Sequence, residues 1–116
     1  MITKTNSTEK IKKSFWEIKD KNLLNLIVAR DGGKTTIRII DTILHKPHNK
    51  HQISKTLNID YKTVTYHLEL MQKYDYVTEE KFGKKFYFHP SDKLFKNLEE
   101  YNLIKELLKK EEKNEK

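Results

Sequence analysis

Lys62, Thr65, Tyr66, Glu69 and Lys73 are the residues of this chain whose types and spacing suit recognition chemistry. At 100° per residue along a helix they face away from Val64, Leu68 and Met71, which cluster on the other side. Hydroxyls and an ammonium group near a helix start can donate hydrogen bonds to a polyanion. Lysine can donate to guanine, and threonine or tyrosine can donate to phosphate or touch a thymine methyl. A helix inserted in a major groove presents its first turns in this way. Glu69 is the exception, because a carboxylate repels phosphate unless it accepts from a cytosine amino group. The plain alternative is a solvated helix face, which an exposed Tyr66 ring fits poorly. His67 falls at the edge of the apolar side and is read as a packing residue, not a base reader.

Lys81, Lys84 and Lys85 surround Gly83. On a hairpin tip they could neutralise phosphates or enter a minor groove, releasing counterions. Edge charges also discourage strand addition, but a hairpin directly after a recognition-like helix favours the phosphate role. His45, His48 and His51 recur every third residue, a spacing at which imidazoles could bind zinc or nickel. Pro47 breaks the helix between the first two, and no cysteine or carboxylate nearby completes a ligand set, so no metal site is assigned. There is no Gly-rich phosphate loop, no H-E-x-x-H, and no Ser or Cys in a nucleophile context. Gly32-Gly33-Lys34-Thr35 ends like a P-loop but lacks the earlier glycine and the preceding strand. No enzyme activity and no cofactor are expected.

The elements that must position these residues are legible around them. Asn49 is a good N-cap with Gln52 three residues on, as in a capping box, and Ile53 and Leu57 then share a face. Ile59 closes a brief linker, and Asp60 caps a second helix carrying Val64, Leu68 and Met71 at spacings of four and three. A linker of roughly 3–4 residues between two short helices is that of a helix-turn-helix, expected over 49–73. Tyr76 to Glu80 and Lys85 to His89 are β-rich and flank Lys81-Phe82-Gly83-Lys84, hence a hairpin. Two helices this short need a third helix and a sheet to bury their apolar faces.

Upstream, residues 1–13 are expected to be a flexible basic tail. Ser14 with Glu17 matches a capping box, and Trp16, Leu23, Leu24 and Ile27 predict a helix over about 15–29 within an N-terminal segment 14–30. Gly32-Gly33 breaks it. Thr35 to Lys46 is the next helix, with Ile37, Ile40 and Leu44 on one stripe, and Pro47 ends it. Ser91 can cap a last helix over about 92–110 striped by Leu94, Leu98, Tyr101 and Leu108, after which 111–116 reads as a frayed charged tail.

The chain has 116 residues, the size of one domain with tails. Apolar and charged residues each make up 35%, which is lean for a core and leaves room for a dimer interface that completes it. The net charge of +7 is uneven: residues 1–45 hold nine Lys/Arg against five Asp/Glu, residues 46–89 eight against five, and residues 90–116 seven against seven. A basic surface suggests a polyanion partner, although a single alanine among many Lys, Ile and Asn also looks like genome bias. No cysteine occurs, so disulfides, thiolate nucleophiles and thiolate metal sites are excluded. No apolar run approaches membrane-spanning length and the start lacks a signal-peptide core. A cytoplasmic chain is expected.

Helix, helix-turn-helix, hairpin and carboxy-terminal helix in this order make a winged helix. Three segments carry a family likeness. GGKTTIRIIDTI (Gly32 to Ile43) resembles the opening helix of archaeal winged-helix regulators of the ArsR-like group, IDYKTVTYHLELM (Ile59 to Met71) their recognition helix, and FGKKFYF (Phe82 to Phe88) their wing. The resemblance covers about residues 32–89. It implies a dimeric, sequence-specific, double-stranded-DNA-binding transcription regulator, and it implies that the two terminal helices form the dimer interface. The chain departs from the bacterial namesakes in lacking their cysteine-rich metal-sensing motif.

The expected fold is therefore mainly α with a small β-hairpin wing, a winged helix-turn-helix flanked by additional N- and C-terminal helices. Lys50, Tyr61, Lys62, Thr63, Thr65, Tyr66 and Lys73, with Lys81, Lys84 and Lys85 of the wing, form the expected DNA-binding set. Trp16, Leu23, Ile27, Leu94, Leu98, Tyr101 and Leu108 form the expected homodimer interface. A protein-interaction module in a transcription or processing complex is the rival reading, and it would not need a lysine wing or an exposed Thr/Tyr face. A sensor using the histidines or an effector pocket at the dimer interface is a third.

Overall fold

A computed structural model of the chain describes residues 15–114. The basic tail expected at 1–13, Ser14 with its cap, and the last two residues of the tail expected at 111–116 lie outside them. Residues 15–17 form one helical turn, and α1 then spans Lys21–Val28. The helix expected at 15–29 is thus split. Asp20 accepts from the Leu23 backbone N–H at 3.1 Å and starts a new helix there. α2 spans Gly33–His45 and stops because Lys46, which precedes Pro47, is extended at φ −170°.

A strand β1 of two residues, His48–Asn49, follows; it was not anticipated. α3 is Lys50–Leu57, and Asn49 and Gln52 close the expected capping box over it. Asn58 ends α3 in the left-handed region at φ 55°. α4 is Tyr61–Lys73, capped by Asp60, which accepts from the Lys62 backbone N–H at 3.0 Å. β2 (Val77–Phe82) and β3 (Lys85–Pro90) form the hairpin, and Gly83 at φ +63° makes the turn. The sheet is antiparallel in the order β1-β3-β2, with His48 opposite Phe88 and Phe82 opposite Lys85. The terminal helix expected at 92–110 is two helices, α5 (Asp92–Lys96) and α6 (Leu98–Asn114).

One apolar core joins these elements. Ile39, Ile40 and Ile43 of α2, Ile53 of α3, Val64, Leu68 and Met71 of α4, and Phe88 of β3 belong to it together with Tyr76. The flanking helices enter the same core. Leu23, Ile27, Leu94 and Tyr101, expected at a dimer interface, are all within 2% of complete burial in the single chain. A fully buried aliphatic side chain stabilises its own fold by about 1.5–3 kcal/mol, so these are core residues and not spare surface. Leu98 and Leu108 are half-buried against the same cluster. Of the expected interface set, Trp16 alone is largely exposed, at 78%.

Backbone contact sets the α1–α2 crossing. A Cβ placed on Gly33 would lie 1.8 Å from the Ile27 carbonyl oxygen, so α2 begins directly against α1. At Gly83 an added Cβ would meet nothing within 4 Å, and only the positive φ resists substitution. Gly33→Ala should therefore destabilise the fold by about 3 kcal/mol or more, the upper part of the overpacking range, because backbone has to move. Gly83→Ala should cost about 1–2 kcal/mol. Chemical denaturation of both variants checks the order, and equal losses would contradict the close crossing.

Candidate nucleic-acid interface

The exposed side of α4 is a stripe of Lys62, Tyr66, Glu69 and Lys73, four residues at helical spacing. Val64, Leu68 and Met71 hold the opposite side in the core. The short linker before α4 is fixed by Ser54, whose hydroxyl donates to the Ile59 carbonyl at 2.6 Å. Arg38 of α2 donates to the Leu57 carbonyl at 2.7 Å and ties the end of α3 down. The two helices of the motif are therefore held at a set angle by bonds from outside α4 as well as by packing.

Tyr66 is 56% exposed, and the Arg30 guanidinium lies 5.8 Å from its ring centroid. Arg30 is itself anchored: its Nη1 donates to the Leu26 carbonyl at 2.8 Å and to the Thr36 hydroxyl at 3.3 Å. The single Thr36 hydroxyl proton is directed at the Gly32 carbonyl, 3.2 Å away. His67 Nδ1 stands 3.3 Å from the same Thr36 hydroxyl oxygen, so the imidazole has a polar partner inside the fold. Burial first, and the nearby Arg30 charge second, hold the His67 pKa below its ordinary value of 6.5. His67 is a neutral packing residue beneath the exposed stripe, as its place on the helix implied.

The start of α3, the start of α4 and the hairpin converge on one groove of about 460 Å³. Lys50, Lys55, Lys84 and Lys85 line it with His51, Tyr61 and Phe86. Lys50 Nζ sits 5.9 Å from the Tyr61 ring and 6.0 Å from the Phe88 ring, and His51 leans on Tyr61 with centroids 5.4 Å apart. Glu79 is the carboxylate in the lining, and it is engaged by Gln72 Nε2 at 3.1 Å. None of the four lysines forms an ion pair among the described residues. Such a set of unpaired ammonium groups over aromatic walls attracts an anion that carries flat rings.

Most of the expected contact residues are exposed, and they fall into separate groups. Lys50, Tyr61, Lys84 and Lys85 meet in the groove, Lys62, Tyr66 and Lys73 form the stripe, and Lys81 stands over Phe86 with Nζ 5.7 Å from the ring. Thr63 is only half exposed. Thr65 departs from expectation: its hydroxyl oxygen is buried with no hydrogen-bond partner, so it is shielded from any base edge. Arg30, Lys55, His51 and Phe86 were missed. Phe86 could have been found from strand alternation with buried Phe88, whereas Arg30 reaches Tyr66 only through the α1–α2 crossing.

The three regularly spaced histidines separate. His45 and His51 are exposed on different helices, while His48 is buried in β1 with Nδ1 2.7 Å from the Lys46 carbonyl oxygen. Among the described residues no three His, Asp or Glu side chains stand close enough to share a metal ion. No helix among them is long and apolar enough to cross a membrane.

No protein-family model matches this sequence, and a search of curated proteins finds no match. Solved structures do match. A homodimeric winged helix-turn-helix DNA-binding domain from Mycobacterium bovis, described as a possible ArsR-family transcriptional regulator, superposes with a TM-score of 0.60 at 11% identity, covering 94% of this chain and 91% of that one. The transcriptional regulator HlyU from Vibrio vulnificus gives 0.59 at 14%, covering 90% and 97%. The transcriptional repressor BigR from Xylella fastidiosa gives 0.57 at 14%, covering 73% and 78%. At these identities the likeness is one of fold, and the fold is the winged helix-turn-helix: mostly helical, with a small three-stranded antiparallel sheet.

His67 makes one property of this arrangement measurable. Its pKa is lowered in the folded chain, so the unfolded chain binds a proton more readily once pH drops below 6.5. The stability that neutral His67 confers is complete above that pH and declines as the solution is acidified toward the folded pKa. Denaturant melts of the wild type should lose stability on the acid side faster than those of His67→Gln. Parallel pH profiles for the two proteins would show that His67 is not held neutral.

Proposed function

We propose that this protein is a sequence-specific, double-stranded-DNA-binding transcription regulator of the archaeal ArsR-like kind that acts as a homodimer. In this reading α4 enters the major groove and the wing lies on the phosphate backbone. The observation that carries it is the convergence of Lys50, Lys55, Lys84 and Lys85 beside the exposed stripe of α4, with no acid pairing them among the described residues. Lys62 and Tyr66 read base edges and set register. The groove lysines act on phosphate without regard to sequence. The fold neighbours that are transcriptional regulators, one of them a homodimeric DNA-binding domain, add support.

The dimer rests on surface that the single chain leaves open. Trp16, Phe95 and Leu103 are exposed apolar residues on the terminal segments, and the last 27 residues carry no net charge, with seven basic residues against seven acidic, to repel a copy. A two-fold axis there would present two α4 helices to successive major grooves, about one DNA turn apart. Selection of bound sequences from a random pool should return palindromes. Because Trp16 and Leu103 are exposed, Trp16→Ser with Leu103→Glu should keep the fold and give a monomer in sedimentation at micromolar concentration, with specific affinity lost and weak nonspecific binding kept. A wild type that sediments as a monomer and binds one half-site as tightly as a palindrome would defeat the dimer.

Affinity measured across a salt series tests the division of labour. Lys84→Ala with Lys85→Ala should weaken binding to all sequences and flatten the slope of log affinity against log salt by roughly 2 units. Tyr66→Ala should instead cost about 1–3 kcal/mol on the selected site and spare nonspecific binding. An unmoved salt slope would turn the wing away from DNA.

A further inference from the structure

Phe82 is the last residue of β2, beside the turn at Gly83, and is 61% exposed. The hairpin projects: after Val77 every residue of β2 is exposed. Residues opposite one another across a strand pair share a face. Phe82 therefore shares its face with Lys85 and, one step along, with Tyr87, whose ring stands edge-on behind it at 6.0 Å. Phe86 pairs with Lys81 on the other face and lines the groove. Phe82 is thus an apolar ring at the tip of a tightly turned finger, buttressed from behind, open in front and outside the groove wall.

Charge decides what such a ring can meet. Lys85 shares its face, Lys84 adjoins it across the turn and Lys81 stands on the other face over Phe86, while the two hairpin carboxylates are engaged nearer the body, Glu79 by Gln72 and Glu80 by His89, each at 3.1 Å. Lysine is depleted from protein–protein interfaces, and three of them at one hairpin tip favour a polyanion. If Lys84 and Lys85 sit on phosphates, the exposed ring beside them in the turn is within reach of the base stack. Phenylalanine is among the side chains that minor-groove binders insert between base steps, kinking the duplex by about 20–90°.

We infer that Phe82 is a wedge that the wing drives between base pairs of bound duplex DNA, bending it. This rests on the DNA-binding reading above and adds deformation to it. The site beneath the wing should then favour a pyrimidine–purine step, TA or CA/TG, which unstacks most easily.

The test uses the full chain and a duplex selected by it, with dyes at both ends and 2-aminopurine at the step beneath the wing. The wild type should shorten the end-to-end distance and raise 2-aminopurine fluorescence. Phe82→Ser should bind with both signals near those of free duplex, and Phe82→Leu, which keeps an apolar wedge, should restore them. Thermal melts confirm that the variants are folded, and Phe82→Gln, a second polar side chain at the same exposed position, takes the place of the serine variant if that one is not. Full bending with Phe82→Ser, or a duplex bound straight by the wild type, would overturn the wedge while leaving DNA binding intact. Absence of binding to any duplex at low salt would instead overturn the reading beneath it.

Discussion

The absence of side-chain volume at Gly32-Gly33 is the constraint on which the interface depends. A Cβ on Gly33 would strike the Ile27 carbonyl oxygen, and one on Gly32 would lie 2.7 Å from His67 Cε1. Three helices therefore meet where a larger residue would hold them apart: α1 at Ile27, α2 at its first residue and α4 at His67. Close approach has an electrostatic consequence. It brings Thr36 under His67 and lets Arg30 reach across to Tyr66, so the outward face of α4 is tied to a charge that belongs to the α1–α2 loop. Interiors this dense transmit displacement rather than absorb it. The orientation of the exposed stripe is a property of the crossing and not of α4 alone.

Charge is segregated on a finer scale than the net value of +7 suggests. Hairpin carboxylates sit toward the body and have partners there; hairpin lysines surround the tip. In the same way Asp41 is engaged by Tyr101 and Lys105 at 2.7 and 2.9 Å, so this acid is matched within the body of the fold. The four groove lysines, by contrast, form no ion pair among the described residues. Surface ion pairs contribute little to stability, so leaving the groove lysines without partners costs the fold almost nothing and preserves their field for an anion.

Local signals made the motif legible and non-local ones hid the rest. The caps at Asn49 and Asp60 are made within three residues of themselves, so each could be read directly. β1 could not be, because its two residues are paired with β3 far along the chain. The break before α1 depends on Glu100, which accepts from the Lys19 and Asp20 backbone N–H groups at 2.9 Å each across 81 and 80 residues. The candidate site divides in the same manner. Exposure of Lys62, Tyr66 and Lys73 follows from helical period, whereas the shielding of Thr65 and the approach of Arg30 are tertiary. An apolar stripe looks the same whether its own chain or a partner covers it, which is why Leu23, Ile27, Leu94 and Tyr101 were placed at an interface and belong to the core.

The split of the terminal helix follows from what its second half must reach. Asn97 stops α5 by donating its side-chain amide to the Lys93 carbonyl at 2.8 Å, and α6 restarts in a new direction. Only then do Glu100 and Tyr101, adjacent in sequence, address different parts of the body: Glu100 the entry to α1, Tyr101 the Ile37 carbonyl and Asp41 of α2. Burial and the Asp41 carboxylate push the Tyr101 phenol well above its ordinary pKa, so it stays a donor throughout the physiological range. Tyr76, itself buried in the core, donates to Asp20 at 2.6 Å and closes the same circuit from the sheet side. The flanking helices are thereby bolted to both ends of the α1–α2 crossing that sets α4. A partner held on their outer surface would be held in fixed relation to α4, and two copies so joined would present their exposed α4 stripes at a spacing set by hydrogen bonds within each chain.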